Sequence, residues 1–185
     1  MPNSRPRIVI ATPADAAANN GNWRTAHRWR GLFGRGFQTI VQNASDTLGA
    51  DADGAGMLIA LHARKSANVI REFRRMHPTA PILLVLTGTD LYRDLADSRD
   101  AQESVATAHA IVLLQEDACR HLPAFAQSKS HVIYQSAKTL APAAKPSGVL
   151  RCVVVGHLRS EKSPKTIFSL IEDEICAPNI SRPRS

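Results

Sequence analysis

Six short apolar runs constrain this chain more than any other feature. RIVIAT (7–12), FQTIVQ (37–42), GMLIALH (56–62), PILLVLT (81–87), AIVLLQ (110–115) and HVIYQ (131–135) have strand length. A strand wetted on one face alternates apolar and polar residues, whereas one covered on both faces need not. Most of these runs do not alternate. Between them lie helix-length segments. Residues 22–33 place Trp23, Ala26, Trp29 and Phe33 near helical spacing; 64–77 stops at Pro78; 100–109 follows; a helical turn falls near 116–122. Strands alternating with helices predict a parallel sheet covered on both faces. Right-handed crossovers then give an α/β, Rossmann-like, doubly wound domain.

The pattern breaks at TLAPAAKPSGV (139–149), whose Pro, Ala, Ser and Gly read as a linker. The expected organisation is a domain over 1–138, a linker over 139–149, and at 150–185 the first β-α unit of a second domain. A single β-α unit cannot bury its own faces. The second domain is therefore expected to be cut short, as a frameshift would leave it. The alternative is that 150–155 adds a strand to the first sheet.

Composition narrows the function classes. The chain has 185 residues and a formal net charge of +7, which favours anionic partners. The cations are scattered in short clusters, and Arg71/Arg74/Arg75 beside Glu72 reads as a solvated helix face. With two Tyr and two Trp, stacking platforms for bases are scarce, so no nucleic-acid partner is expected. Cys119, Cys152 and Cys176 share no ligand-like spacing, so neither a disulfide framework nor a metal site is expected. No run approaches the ~20 apolar residues of a membrane span, and a cytoplasmic setting is expected.

Ligands of open parallel sheets bind outside the carboxyl ends of the strands. The residues that follow each strand are polar. They are Asn19, Asn20, Gly21 and Asn22; then His62, Arg64 and Lys65; then Thr87, Gly88, Thr89, Asp90 and Arg93; then Gln115 and Glu116; then Gln135 and Ser136. Such a rim suits a polar small molecule. Each residue also has a structural reading. Asn22 fits a helix N-cap, His62 a satisfied strand-end histidine, Asp90 the cap of a following helical turn, and Glu116 a helix start. His27, His77, His109, His121 and His131 share no spacing and read as surface residues. The first loop has no G-x-G-x-x-G, the second strand has no acid at its tip, and there is no P-loop. A nicotinamide, flavin or other cofactor is not expected. In VVVGHLRSEKSP (153–164), Gly156, His157, Arg159 and Lys162 lie in a loop before a helix, an arrangement suited to a diphosphate. A solvated basic loop is the competing reading.

VGHLRSEKSP, following a Pro-containing linker, resembles the start of the donor domain in GT-B glycosyltransferases of the family 4 type. Those commonly carry V-G-x-L-x-x-E-K there. TPADAAANNGNWRTAHRW, LIALHARKSA, LTGTDLYRDL, VLLQE, VIYQSA and VVVGHLRSEK, in that order, are similar to the selenosugar synthase branch of selenoneine biosynthesis. The resemblance covers about residues 5–166. It implies an N-terminal acceptor domain and transfer of a sugar from a UDP-sugar to selenophosphate. It also implies that His62 is the cleft histidine that contacts the donor sugar, and that Arg159 and Lys162 neutralise the leaving diphosphate. His157 stands where many relatives have arginine, so the division of roles between His157 and Arg159 stays open. The acidic E-x7-E segment of such donor domains is not matched by IEDE (171–174). Little or no transfer activity is therefore expected of this chain alone, and the face bared by a missing domain invites self-association. Arg64, Lys65 and Arg93 are candidates to hold the anionic acceptor. The alternative is a non-catalytic, anion- or phosphate-binding Rossmann-like module.

Overall fold

A computed structural model describes residues 5–14, 17, 20–142, 144, 147–148, 163–166 and 168–169. The elements run β1 (Arg7–Thr12), α1 (Gly21–Phe33), β2 (Gln38–Asn43), β3 (Ala55–Leu61), α2 (Ala67–Met76), β4 (Ile82–Val85), α3 (Leu95–Asp97), α4 (Arg99–Thr107), β5 (Ala110–Leu113), α5 (Ala124–Gln127) and β6 (Ser130–Val132). A π-helical turn, Asp90–Asp94, leads into α3, and 3-10 turns form at Ala50–Ala52 and Glu116–His121. The six strands make one parallel sheet in the order β2-β1-β3-β4-β5-β6. Val9 pairs with Ile40 on one side and Leu58 on the other. The expected α/β, Rossmann-like sheet is therefore present.

The strand sequences explain the layering. Successive side chains of β3 point to opposite faces, and both faces are apolar. Leu58 and Ala60 join a cluster with Val9, Phe73, Leu84 and Val105, under α2 and α4. Ile59 and Leu61 join Ile8, Ile10, Ala26 and Val112 on the α1 side, where Trp29 and Phe33 pack as expected. Fully burying each Leu or Ile contributes ~1.5–3 kcal/mol. The burial thus fixes helices on both sides of the sheet.

Local chemistry sets the helix ends. Asn20, rather than Asn22, caps α1: its Oδ1 accepts the N–H groups of Asn22 and Trp23 at 3.1 and 3.2 Å. Ser98 caps α4 by accepting the Ala101 N–H. The second helix begins at Ala67 rather than at 64, because His62 to Ser66 close a turn through the Ser66 N–H and His62 carbonyl. It ends before Pro78, as its sequence predicts. The third strand stops at Leu61, because His62 has φ +73° and leaves the extended conformation.

Some side chains read as surface residues are also engaged in contacts. Arg71 is not simply solvated, since it bridges α2 to α4 by reaching Asp100 and Glu103, both at 2.9 Å. Arg74 likewise donates to the Pro78 carbonyl at 2.7 Å. His109 is exposed, as expected, although its Nδ1 accepts the Ile82 N–H at 2.9 Å; His77 departs from the surface reading, since its Nε2 is buried.

The chain falls into two compact units, 1–137 and 138–185. In the second, residues 164–166 and 168–169 are helical. The strand expected at 150–155 lies outside the described residues. Among the described residues, no helix is long and apolar enough to cross a membrane.

Candidate functional site

Because all six strands are parallel, their carboxyl ends share one edge. The strand order reverses between β1 and β3, which opens the crevice where such sheets bind ligands. His62 immediately follows β3 at this point. It is buried, and it is one of two non-glycine residues with positive φ among the described residues. A bulky residue held in the left-handed region costs of order 1 kcal/mol or more and persists only where its surroundings enforce it.

The enforcing group is Asp90, which is 0% exposed. Its Oδ2 accepts the Ala63 N–H at 2.9 Å, and its Oδ1 accepts the N–H groups of Thr87 and Gly88, both at 2.9 Å. One carboxylate therefore ties the loop after β3 to the loop after β4. It also draws Thr87 and Gly88 out of strand pairing, so β4 is shorter than its apolar run. Gly88 has φ +119°, a conformation that side chains with a Cβ rarely adopt. Asp90 does not cap a following helical turn as expected: it is the first residue of the π-helical turn, which has no side-chain cap, and its oxygens bind donors that precede it.

Asp94 stands one turn further along the same π-helical segment. Its Oδ2 accepts from Arg64 Nε at 2.7 Å and its Oδ1 from Arg93 Nε at 3.1 Å. Burial pushes the Asp94 carboxyl up, but the two arginines outweigh it and hold the group below the usual range. Arg64 uses only Nε in this pair and stays 44% exposed. Its Nη groups have no hydrogen-bond partner among the described residues. Lys65, next to it, is also exposed.

The histidine tautomer follows from the donors around it. The Lys65 backbone N–H points at His62 Nδ1 at 3.4 Å, and an amide N–H can only donate. The ring proton therefore sits on Nε2, which faces Thr89 Oγ1 at 3.3 Å and Asp94 Oδ2 at 3.8 Å. Burial lowers the His62 pKa most; Lys65 and Arg64 lower it further, against the raising influence of Asp90 and Asp94. At neutral pH the site thus holds a neutral imidazole donor beside two cations.

This has a measurable consequence. A histidine whose folded pKa is depressed contributes its full stability above about pH 6.5, and that stability is lost as pH falls through the folded value. His109 is lowered too, by burial first and then by Arg74 and Lys129. Urea unfolding should show stability falling from pH 7.5 to 5.0, by at most ~1.4 kcal/mol per pH unit for buried His62 and by less for His109, which is exposed and screened by solvent. His62→Asn keeps a residue that tolerates positive φ and should flatten the slope to the His109 share. An unchanged slope would show that His62 titrates normally.

The other expected residues are placed as follows. Gln115 donates through Nε2 to the Tyr92 hydroxyl, joining the loop after β5 to the π-helical turn. Glu116 accepts from the Tyr134 hydroxyl, which raises the phenol pKa and links the loops after β5 and β6. Ser136 accepts from Arg28 Nε at 2.8 Å, reaching α1 instead of the His62 group. Gln135 is exposed beside it. Asn20 and Gly21 form the start of α1, and a Cβ on Gly21 would meet nothing within 4 Å. Thr12, at the tip of β1, has a buried hydroxyl with no hydrogen-bond partner among the described residues. Asn19, Gly156, His157, Arg159 and Lys162 lie outside the described residues.

A small cavity of about 190 Å³ opens between the loops after β4 and β5, with Thr87, Gly88, Tyr92 and Gln115 in its walls. A larger groove of about 630 Å³ lies beyond Tyr92, but Leu91, Leu95, Val105, Leu122 and Phe125 dominate it, without the rim's cations. Thr87, Tyr92 and Gln115 give the smaller one hydrogen-bonding groups, but no Lys, Arg, Asp or Glu lines either cavity among the described residues. No cluster of metal-ligating side chains occurs among the described residues. No protein-family model matches the chain, and no curated protein matches it.

Sequence reasoning missed Asp94 and Tyr92. Asp90 and Asp94 are four apart in DLYRD, a spacing that puts two carboxylates on one face of a helical turn. That was the available signal.

Proposed function

We propose that this chain carries the acceptor domain of a two-domain, Rossmann-like glycosyltransferase of the selenosugar synthase type. In this reading it presents selenophosphate to the anomeric carbon of a UDP-sugar. The observation that carries the reading is the braced cationic pair. Asp94 holds Arg64 and Arg93 beside a neutral, buried His62 at the sheet's switch point. A group of fixed cations suits a small oxyanion. The ordered strings from TPADAAANNGNW to VVVGHLRSEK support the same reading.

In the reaction, selenium would attack the anomeric carbon as the bond from that carbon to the UDP oxygen breaks. The leaving diphosphate takes the electron pair. Selenophosphate is already an anionic nucleophile, so no strong base is required. The rim's work is to hold one anion against its own repulsion with the other. His62 Nε2–H is a hydrogen-bond donor there, suited to a sugar or phosphate oxygen.

Isothermal titration with selenophosphate, and with phosphate as the stable analogue, tests the acceptor site. Binding should weaken at least ~10-fold in Arg64→Ala, the loss of a charge-assisted contact. Loss of Nε also frees Asp94, so Arg64→Lys should recover little, because a point charge cannot reproduce the guanidinium fork. Equal binding by wild type and Arg64→Ala would sink the assignment. Mixing the chain with UDP-sugar and selenophosphate is the second test. Little or no product is expected from this chain alone; full turnover would sink the expectation that its second domain is cut short, and saturable anion binding would support the acceptor site.

A further inference from the structure

The second anion-binding candidate lies at the opposite end of α1. From Ala16 to Ser45 the sequence contains Arg24, Arg28, Arg30 and Arg35 and no Asp or Glu. Arg5 joins this corner by donating through Nη1 to the Gly34 carbonyl at 3.4 Å. A cavity of about 440 Å³ sits there, lined by His27, Arg30, Gly31, Gly34, Phe37 and Thr39. The run of α1, roughly 20 Å at 1.5 Å per residue, separates it from the rim.

Four features of the cavity point to a ligand. Arg30 is exposed and pairs with no carboxylate among the described residues. The Thr39 hydroxyl is buried with no hydrogen-bond partner among the described residues, an unfavourable state unless something satisfies it. Gly31 leaves open space where a Cβ would project, although its backbone is ordinary helix. The side walls are fixed: His27 stacks on Trp23 with ring centroids 4.0 Å apart, and Phe37 packs edge-on against Phe33 at 6.0 Å. Arg30 also sits in the last turn of α1, where a cation complements the helix dipole. That role explains a cation, but explains neither the cavity, nor the bare Gly31, nor the orphaned hydroxyl.

We propose that this cavity binds a small soluble phosphoester. Arg30 and His27 take the phosphoryl group, and the organic part lies against Phe37. The guanidinium suits phosphate oxygens in a bidentate fork, and the cavity falls in the size range of small-molecule sites. The site shares no residue with the rim and does not depend on the transferase reading.

Titration of the ¹⁵N-labelled full chain with glucose 6-phosphate tests it, read at the Gly31, Gly34 and Thr39 amides. These peaks should move saturably. Arg30→Gln should weaken the affinity read from them ~10-fold or more. Gly31→Gln should abolish the shifts while raising the melting temperature, because glutamine is the better helix former. If that variant melts lower than wild type, Arg30→Gln alone decides. Three results would overturn the proposal: static peaks at these residues, affinity unchanged by Arg30→Gln, or binding of phosphatidic acid vesicles without binding of the soluble ester.

Discussion

Asp90→Ala should cost about 3 to 5 kcal/mol in urea unfolding, because three backbone donors lose their only carboxylate at once. Those donors are the Ala63, Thr87 and Gly88 N–H groups, and Asp90 itself is fully buried. Water cannot readily replace a group enclosed this way, so the donors stay unsatisfied. The loss should extend beyond stability. The loop after β3 would no longer be held against the loop after β4, and His62 would be free to leave its positive φ. Anion binding should therefore fail in this variant even at temperatures where it is folded. Asp90→Asn should fall between, since one oxygen remains but the amide group now faces a donor. A loss below about 1 kcal/mol for Asp90→Ala would show that the clamp is dispensable.

Phe73→Ala should cost a similar ~3–5 kcal/mol by a different route. Phe73 is fully buried in the cluster under α2 and α4, and its ring lies 4.7 Å from that of His77. Truncation removes apolar burial and leaves a cavity that a close-packed core closes only in part. The rim should survive, because Phe73 makes none of its hydrogen bonds. Where the variant is still folded, anion affinity should match wild type. The pair of variants thus separates residues that hold the fold from residues that hold the site. If Phe73→Ala abolished binding while folded, the core under α2 would be setting the rim's geometry after all.

The sheet was legible in the sequence because burial on both faces writes itself as unbroken apolar runs. PILLVLT and AIVLLQ could hardly be anything else, and parallel pairing then placed every strand end on one edge. That step alone brought His62, Arg64, Thr87, Gly88, Thr89, Asp90 and Arg93 together. What was not legible depends on backbone that tertiary contacts enforce. A histidine carries no signal for a left-handed conformation, so GMLIALH read as strand through His62. A helical turn after Asp90 was expected, but its π-helical form and its continuation into α3 were missed for a related reason. LYRDLAD is short, and its turn is held by Asp90 reaching back to Ala63, a contact between distant residues. Asn20 and Asn22 were both plausible caps by type, and only the geometry decided for Asn20. Arg71 and Arg74 looked solvated because their partners, Asp100, Glu103 and the Pro78 carbonyl, belong to other segments.

The strand order also determines how the chain must be born. β1 is paired on both edges, by β2 and β3, yet β3 follows it only ~50 residues later. At the ribosome's ~5–20 residues per second, Val9 and Ile10 wait several seconds before both edges of their strand are paired. Throughout that interval an apolar, β-branched ribbon is open to any other strand nearby. Folding yield should therefore depend on what shelters β1 until β3 has emerged.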